Sequence, residues 1–246
     1  MRTIKEFALV IVFCLPGFAL FAKPAFDKAK PVNIIIPLKE NARISYAVKK
    51  LTAALKAAGY HTSLSHKDVP PVTTNSIFIG RFEDSLMAKA ITVYHPVWNA
   101  KPGKEGFSIA INSNNKGNAL IAGADASGVL YGCLEIADKV RFSGKIPDDL
   151  TMTDQPEMVL RGACIGVQKP YYLPGRTVYE YPYTPQTFPW LYDKKLWIQY
   201  LDSLAENRMN SLYLWNGHPF ASLVKLKDYP YAVEVDDSTF KKNEEM

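Results

Sequence analysis

Between Tyr171 and Tyr192 the chain carries Tyr171, Tyr172, Tyr179, Tyr181, Tyr183, Phe188, Trp190 and Tyr192, with prolines at 170, 174, 182, 185 and 189. Rings on a stiff loop can stack on the C–H faces of a sugar and lose little entropy in doing so. The same rings can simply pack the loop onto what lies beneath. Most are expected to do that, with one or two facing a ligand. Carboxyl pairs come next, because cleaving a glycosidic bond takes two of them about 5–10 Å apart. After residue 159 the paired acids are Asp236-Asp237 and Glu244-Glu245. Sequence neighbours do not face each other on a helix, and Asp237 before Ser238 reads as a helix N-cap. The catalytic residues are therefore left unassigned. No cluster has metal-ligand spacing, and no cofactor is implied.

Gly123-Ala124-Asp125-Ala126-Ser127-Gly128 has the glycine spacing of a phosphate-binding loop. The Lys-Ser/Thr that completes such a loop is replaced by Val129-Leu130. A strand-to-helix turn with Asp125 or Ser127 as N-cap is the simpler reading. Cys133 and Cys164 could pair in an exported protein, but the chain is no small disulfide framework, and two buried free thiols are the favoured reading.

Met1–Ala22 has a charged start at Arg2 and Lys5, an apolar run from Phe7 to Phe21 and small residues at Gly17, Ala19 and Ala22. That is the layout of a secretory leader, with a run short for a bilayer span. Phe13 is bulky where lipidation of Cys14 would need a small residue. Removing residues 1–22 lowers the formal charge from +5 to +4. No further run is long enough to span a membrane, and no basic face is clustered, so a nucleic-acid partner is not expected. Lys39, Lys49, Lys50 and Lys56 have the spacing of a solvated helix face. Oligomeric state is left open.

Residues 31–150 read as a complete α/β domain. Val32–Leu38 is an isoleucine-rich strand. Ile44, Val48, Leu51, Leu55 and Ala58 then step by four and three, one face of a helix that stops at Gly59. Strands follow at 61–65, 76–80, 107–112 and 119–123, with helices at 85–93 and 127–141. The last helix has the stripe Val129, Cys133, Ile136 and Val140. The 107–123 pair is hairpin-like, so the sheet is expected to be mixed. From Val159 the pattern restarts as strand 159–166, ring-rich loop, helix 193–207 and strand 211–215, the opening of a repeating β/α unit. Trp197, Tyr200, Leu201 and Leu204 are its expected core stripe. The 88 residues from Val159 to Met246 fall far short of the ~250 of a closed (β/α)8 barrel. Residues 159–246 are therefore expected to be the first part of one.

The strand ending in Gly123–Gly128, the helix opening Val129-Leu130-Tyr131-Gly132, the linker Asp154-Gln155-Pro156 and then Arg161-Gly162 together resemble bacterial β-hexosaminidases of glycoside hydrolase family 20. The likeness covers about residues 31–166, and the same domain type precedes the barrels of α-glucuronidases. It implies an α/β fold: a small β-hexosaminidase-N-terminal-like α/β sandwich followed by a truncated TIM barrel. It also nominates Arg161 as a group holding sugar hydroxyls, since a fixed guanidinium fork can bind two oxygens. Trp215, Asn216 and His218, at the end of the second barrel strand, are its other substrate-side groups. In those hydrolases an acid often follows the arginine strand; Gly166-Val167-Gln168 stands there in this chain. The sequence thus leads to an exported glycoside hydrolase of polysaccharide or oligosaccharide breakdown, with carbohydrate as its partner and the catalytic carboxylates absent from this stretch. A non-catalytic carbohydrate-binding protein on the same scaffold is the alternative.

Overall fold

The computed structural model describes residues 25–39, 41–98, 100–111, 117–166, 185, 189–215, 237, 238 and 241. The leader expected at 1–22 lies outside them. The first unit is built from β1 (Val32–Ile36), α1 (Ala42–Ala57), β2 (Thr62–His66), β3 (Ser76–Arg81), α2 (Ser85–Tyr94), β4 (Phe107–Ile111), β5 (Asn118–Gly123), α3 (Ala126–Ser143) and β6 (Leu150–Asp154). Its six strands lie in the order β2-β1-β3-β5-β4-β6. The β1–β2, β1–β3 and β3–β5 pairs are parallel, whereas β4 runs antiparallel to both β5 and β6. The expected mixed sheet is what forms. β6 was not foreseen: Leu-Thr-Met-Thr-Asp is half polar, as suits an edge strand with one wet face, and it carries the sheet past residue 150.

Strand alternation divides the apolar residues between two layers. Ile34, Ile36, Ile77, Ile79, Ile109 and Ile121 face α1 and α3 in the larger core. Ile35, Phe78, Leu120 and Ala122 point the other way, onto Leu86, Met87 and Ala90 of α2. The stripe read from α1 is buried at Ile44, Val48, Leu51 and Leu55. That of α3 is buried at Val129, Cys133, Ile136 and Val140.

Helix ends are set by local chemistry. The Asn41 side chain accepts from the Arg43 and Ile44 amides and starts α1. Lys28 Nζ reaches the carbonyls of Ala58 (2.8 Å) and Gly144 (2.9 Å), the C-terminal caps of α1 and α3. One ammonium thus meets the negative dipole ends of both helices.

The 123–128 turn also has a structural explanation. Asp125 Oδ1 accepts from the Gly128 amide (2.9 Å), as the N-cap reading expects. The Ala124 amide donates to Gly106 O, and the Val129 amide to Asp125 O. Three of the turn's amides, those of Ala124, Gly128 and Val129, are thus engaged within the protein. A Cβ on Gly128 would sit 2.0 Å from Gly106 O, so glycine is there for close approach of backbone to backbone.

A second unit follows. β7 (Gly162–Gly166) and β8 (Ser211–Trp215) form a parallel pair, connected through the short helical turn Pro189–Tyr192 and α4 (Lys194–Glu206). Strand β7 begins three residues later than its apolar run begins: Met158, Val159 and Leu160 are exposed. Two further expectations are corrected here. Cys133 is buried, but Cys164 is exposed, because nothing among the described residues covers that face of β7. The α4 stripe is not a closed core either: Leu201 is 49% exposed, and none of the α4 side chains is fully buried among the described residues.

Candidate functional site

The register of β7 and β8 gives the second unit two distinct ends. Gly162 pairs with Ser211 at the start, and Gly166 with Trp215 at the finish. In β/α units the reacting groups gather at the carboxyl end. That end is built by α4, whose start is fixed by Asp193, accepting from the Lys195 (2.9 Å) and Leu196 (3.1 Å) amides. The Trp197 indole donates to Leu191 O (2.7 Å), and its ring packs against Trp190 and Tyr200 at centroid distances of 6.2 and 6.1 Å. Trp190, from the ring-rich loop, is thus engaged with α4, the packing role expected of most of those rings. Tyr171, Tyr172, Tyr179, Tyr181, Tyr183 and Phe188 lie outside the described residues.

Trp215 closes β8 at the carboxyl end. Asn216 and His218, which follow it, lie outside the described residues. So do Asp236, Glu244 and Glu245; Asp237 and Ser238 are exposed residues with helical backbone.

Arg161 is at the other end. It directly precedes β7, so it stands a full strand length from Trp215, and these two nominated residues lie at opposite ends of the strand pair. Its guanidinium is committed within the protein. Nε donates to Arg208 O (2.9 Å) and Nη1 to Met158 O (2.7 Å). Nη2 donates to Glu105 Oε2 (2.6 Å) and the Tyr131 hydroxyl (3.2 Å), and the group also lies over the Tyr131 ring. The two charged side chains are 15% and 14% exposed, mostly out of water. Burial works against the Arg161 charge, but the bonds to Glu105 and Tyr131 outweigh it and hold the guanidinium more firmly protonated than usual.

These contacts belong to a polar seam between the two units that sequence reasoning missed. Arg208 pairs with Glu135. On the α1 side, Lys50 pairs with Glu206 and stands 3.9 Å from Asp202, while the Tyr46 hydroxyl meets Glu206 at 3.1 Å. Lys50 is therefore not part of a merely solvated face. Its hydrogen bond to Glu206 raises its pKa above the usual lysine value, and the same bond holds the Glu206 carboxyl below the usual range. Burial pushes the Tyr46 phenol up to about 12, with Lys50 pulling against it. The seam leaves an open cleft of about 280 Å³ bordered by Arg43, Tyr46, Tyr131, Asp202 and Met209. Its pairs join residues up to 160 positions apart, a separation at which no periodicity or motif gives a signal.

Comparison with known proteins bears on both units. A family profile described as the glycosyl hydrolase family 67 N-terminus matches residues 22–136. Among solved structures, a GH138 enzyme targeting pectin rhamnogalacturonan II is 47% identical with a TM-score of 0.69, over 88% of this chain. This chain spans 28% of that enzyme's length. The structure of CpGH84D is 13% identical over 57% of this chain and 23% of its own, with a TM-score of 0.41, too low to argue from. No curated protein sequence gives a significant match. The α/β architecture is that of the GH138 enzyme, and the chain is similar to the N-terminal region of glycoside hydrolases, without the family 20 assignment in particular.

Proposed function

We propose that this chain is the N-terminal region of an exported glycoside hydrolase acting on a pectic polysaccharide or its oligosaccharides. In this reading β7–α4–β8 is the first β/α unit of a (β/α)8 barrel, and sugar meets it at the carboxyl ends of β7 and β8. The observation that carries the proposal is the 47% identity to a pectin-targeting enzyme over 88% of this chain, which runs through both units. Carbohydrate contact is assigned to Trp215, Asn216 and His218. An indole can stack on a pyranose face, and an amide and an imidazole can each bond to hydroxyls. Arg161, expected beside them, is assigned instead to the seam at the opposite end.

Bond cleavage takes two carboxyls about 5–10 Å apart, and neither β7 (Gly-Ala-Cys-Ile-Gly) nor β8 (Ser-Leu-Tyr-Leu-Trp) carries one. The chain is accordingly given a substrate-holding role. The same fact favours the second reading, a non-catalytic carbohydrate-binding protein. Export rests on the leader-like residues 1–22, and N-terminal sequencing of the mature protein tests it; a retained Met1 would refute it. The sugar site is tested by titrating the chain with rhamnogalacturonan oligosaccharides. Trp215→Ala and His218→Ala are expected to weaken binding, each by about 1–2 kcal/mol, the scale of a lost neutral contact. Arg161→Ala, which touches no sugar in this reading, is expected to weaken binding less than either, through strand placement only. Weakening by Arg161→Ala alone would refute the assignment.

A further inference from the structure

One carboxylate of the first unit touches the amino ends of both strands of the second. Glu105 accepts from Arg161 Nη2, just before β7, and from Asn210 Nδ2 (3.2 and 3.3 Å to its two oxygens), just before β8. Asn210 joins the same two strands on its own account. Its Oδ1 accepts from the Arg161 amide (3.0 Å), its Nδ2 donates to Val159 O (2.8 Å), and its backbone amide donates to Arg161 O (2.7 Å). Gly162 lets the strands close at this point: a Cβ there would lie 2.1 Å from Ser211 O.

Glu105 is itself held. Its amide donates to Asp125 Oδ2 (2.9 Å), and Asp125 caps α3 through its other oxygen. Its backbone is left-handed, with φ of 60°, a conformation side chains rarely adopt. Arg208, whose carbonyl receives Arg161 Nε, is left-handed too, with φ of 59°. Of the four non-glycine residues with positive φ among those described, two therefore border this one contact. At Arg208 this is the ordinary left-handed residue after a helix C-cap, with its amide on Ala205 O and the Met209 amide on Leu204 O; at Glu105, outside any helix end, it persists because the surrounding contacts over-determine it.

We infer that Glu105 is a positioning residue: through Arg161 and Asn210 it fixes the register of β7 against β8, and so where the two carboxyl ends stand relative to each other. A slip of one residue would turn each β7 side chain to the opposite face, and a slip of two would carry Asn210 out of reach of both Arg161 and Glu105. The consequence for sugar contact rests on the function proposed above; the register itself does not.

The test is backbone amide hydrogen exchange on the full chain without sugar. Glu105→Gly removes the carboxylate and relaxes the left-handed backbone, so the first unit should keep its fold. Amides of Asn210 to Trp215 are expected to exchange about tenfold faster or more, on the scale of a lost hydrogen bond to a charged group. Those of β3 and β5 should stay unchanged. Glu105→Gln, whose amide oxygen can still accept from Arg161, should recover part of the protection. Unchanged exchange in β8, equal acceleration in β3 and β5, or no recovery in Glu105→Gln would each overturn the inference. Because no sugar is present, the outcome is independent of whether the sugar reading holds.

Discussion

The two units solve the same problem of burying a β/α pattern to very different extents. In the first, β3, β4 and β5 are buried almost end to end, and α3 is buried on most sides. In the second, β7 alternates exposed with half-buried, α4 has no fully buried side chain among the described residues, and Tyr213 is 62% exposed. Hydrophobic burial stabilises the first unit; charged and amide pairs hold the second against it. A polar seam is worth less per contact than a packed core but depends far more on geometry. The first unit should therefore act as the fixed frame from which the second takes its position.

The largest effect that sharpens this contrast is in the first core. Phe78→Ala, at a fully buried ring under α2, should cost about 3–5 kcal/mol, whereas Leu201→Ala on α4 should cost under about 0.5 kcal/mol. Chemical denaturation followed by circular dichroism checks both. Similar costs at the two sites would erase the distinction.

Next comes the seam. Arg161→Ala leaves Glu105 in a mostly dehydrated place without its cation, and should lower stability by about 1.5–3 kcal/mol. A thermal melt reads this, and an unshifted melt would mean that the seam contributes little.

A smaller effect is pH-dependent. Glu206 has a lowered pKa in the fold, so its contribution is present above the ordinary glutamate value and lost as pH falls through the folded value. Lys50 has a raised pKa, so its contribution is complete below the ordinary lysine value and lost as pH rises through the folded one. Docking of α4 on α1 should thus be strongest between those limits. The pair is partly exposed, which limits its worth to about 0.2–1 kcal/mol. A Lys50–Glu206 double-mutant cycle should show a coupling at pH 7 that vanishes in acid; a pH-independent coupling would contradict the pairing. Least costly of all, in this 246-residue chain a maleimide should label Cys164 and spare Cys133, whose thiol is fully buried with its pKa pushed far up. Labelling of Cys133 at a similar rate would show that the core opens.

The sequence made the first unit readable because its signals are local. The Ile44–Leu55 stripe, the Asp125 cap and the isoleucine-rich run from Val32 each report on neighbours within a few residues, and boundaries fell within about two positions of those observed. β6 escaped because five residues, alternately polar, just before Pro156 look like a linker. Arg161 was misplaced for a different reason: a strand seen in sequence has no known register, so its amino and carboxyl ends could not be set against Trp215. Glu105 gave no signal at all, since its partners lie 56 and 105 positions away and its left-handed backbone belongs to the folded state only.

The contrast itself is tested most directly by unfolding Trp98→Phe, in which the remaining tryptophans, Trp190, Trp197 and Trp215, all belong to the second unit. Their fluorescence reports that unit, while far-ultraviolet circular dichroism is dominated by the six-stranded sheet and its three helices. The account predicts that the fluorescence transition comes at lower denaturant than the dichroism transition. Coincident transitions would contradict it and show the two units to be one cooperative body.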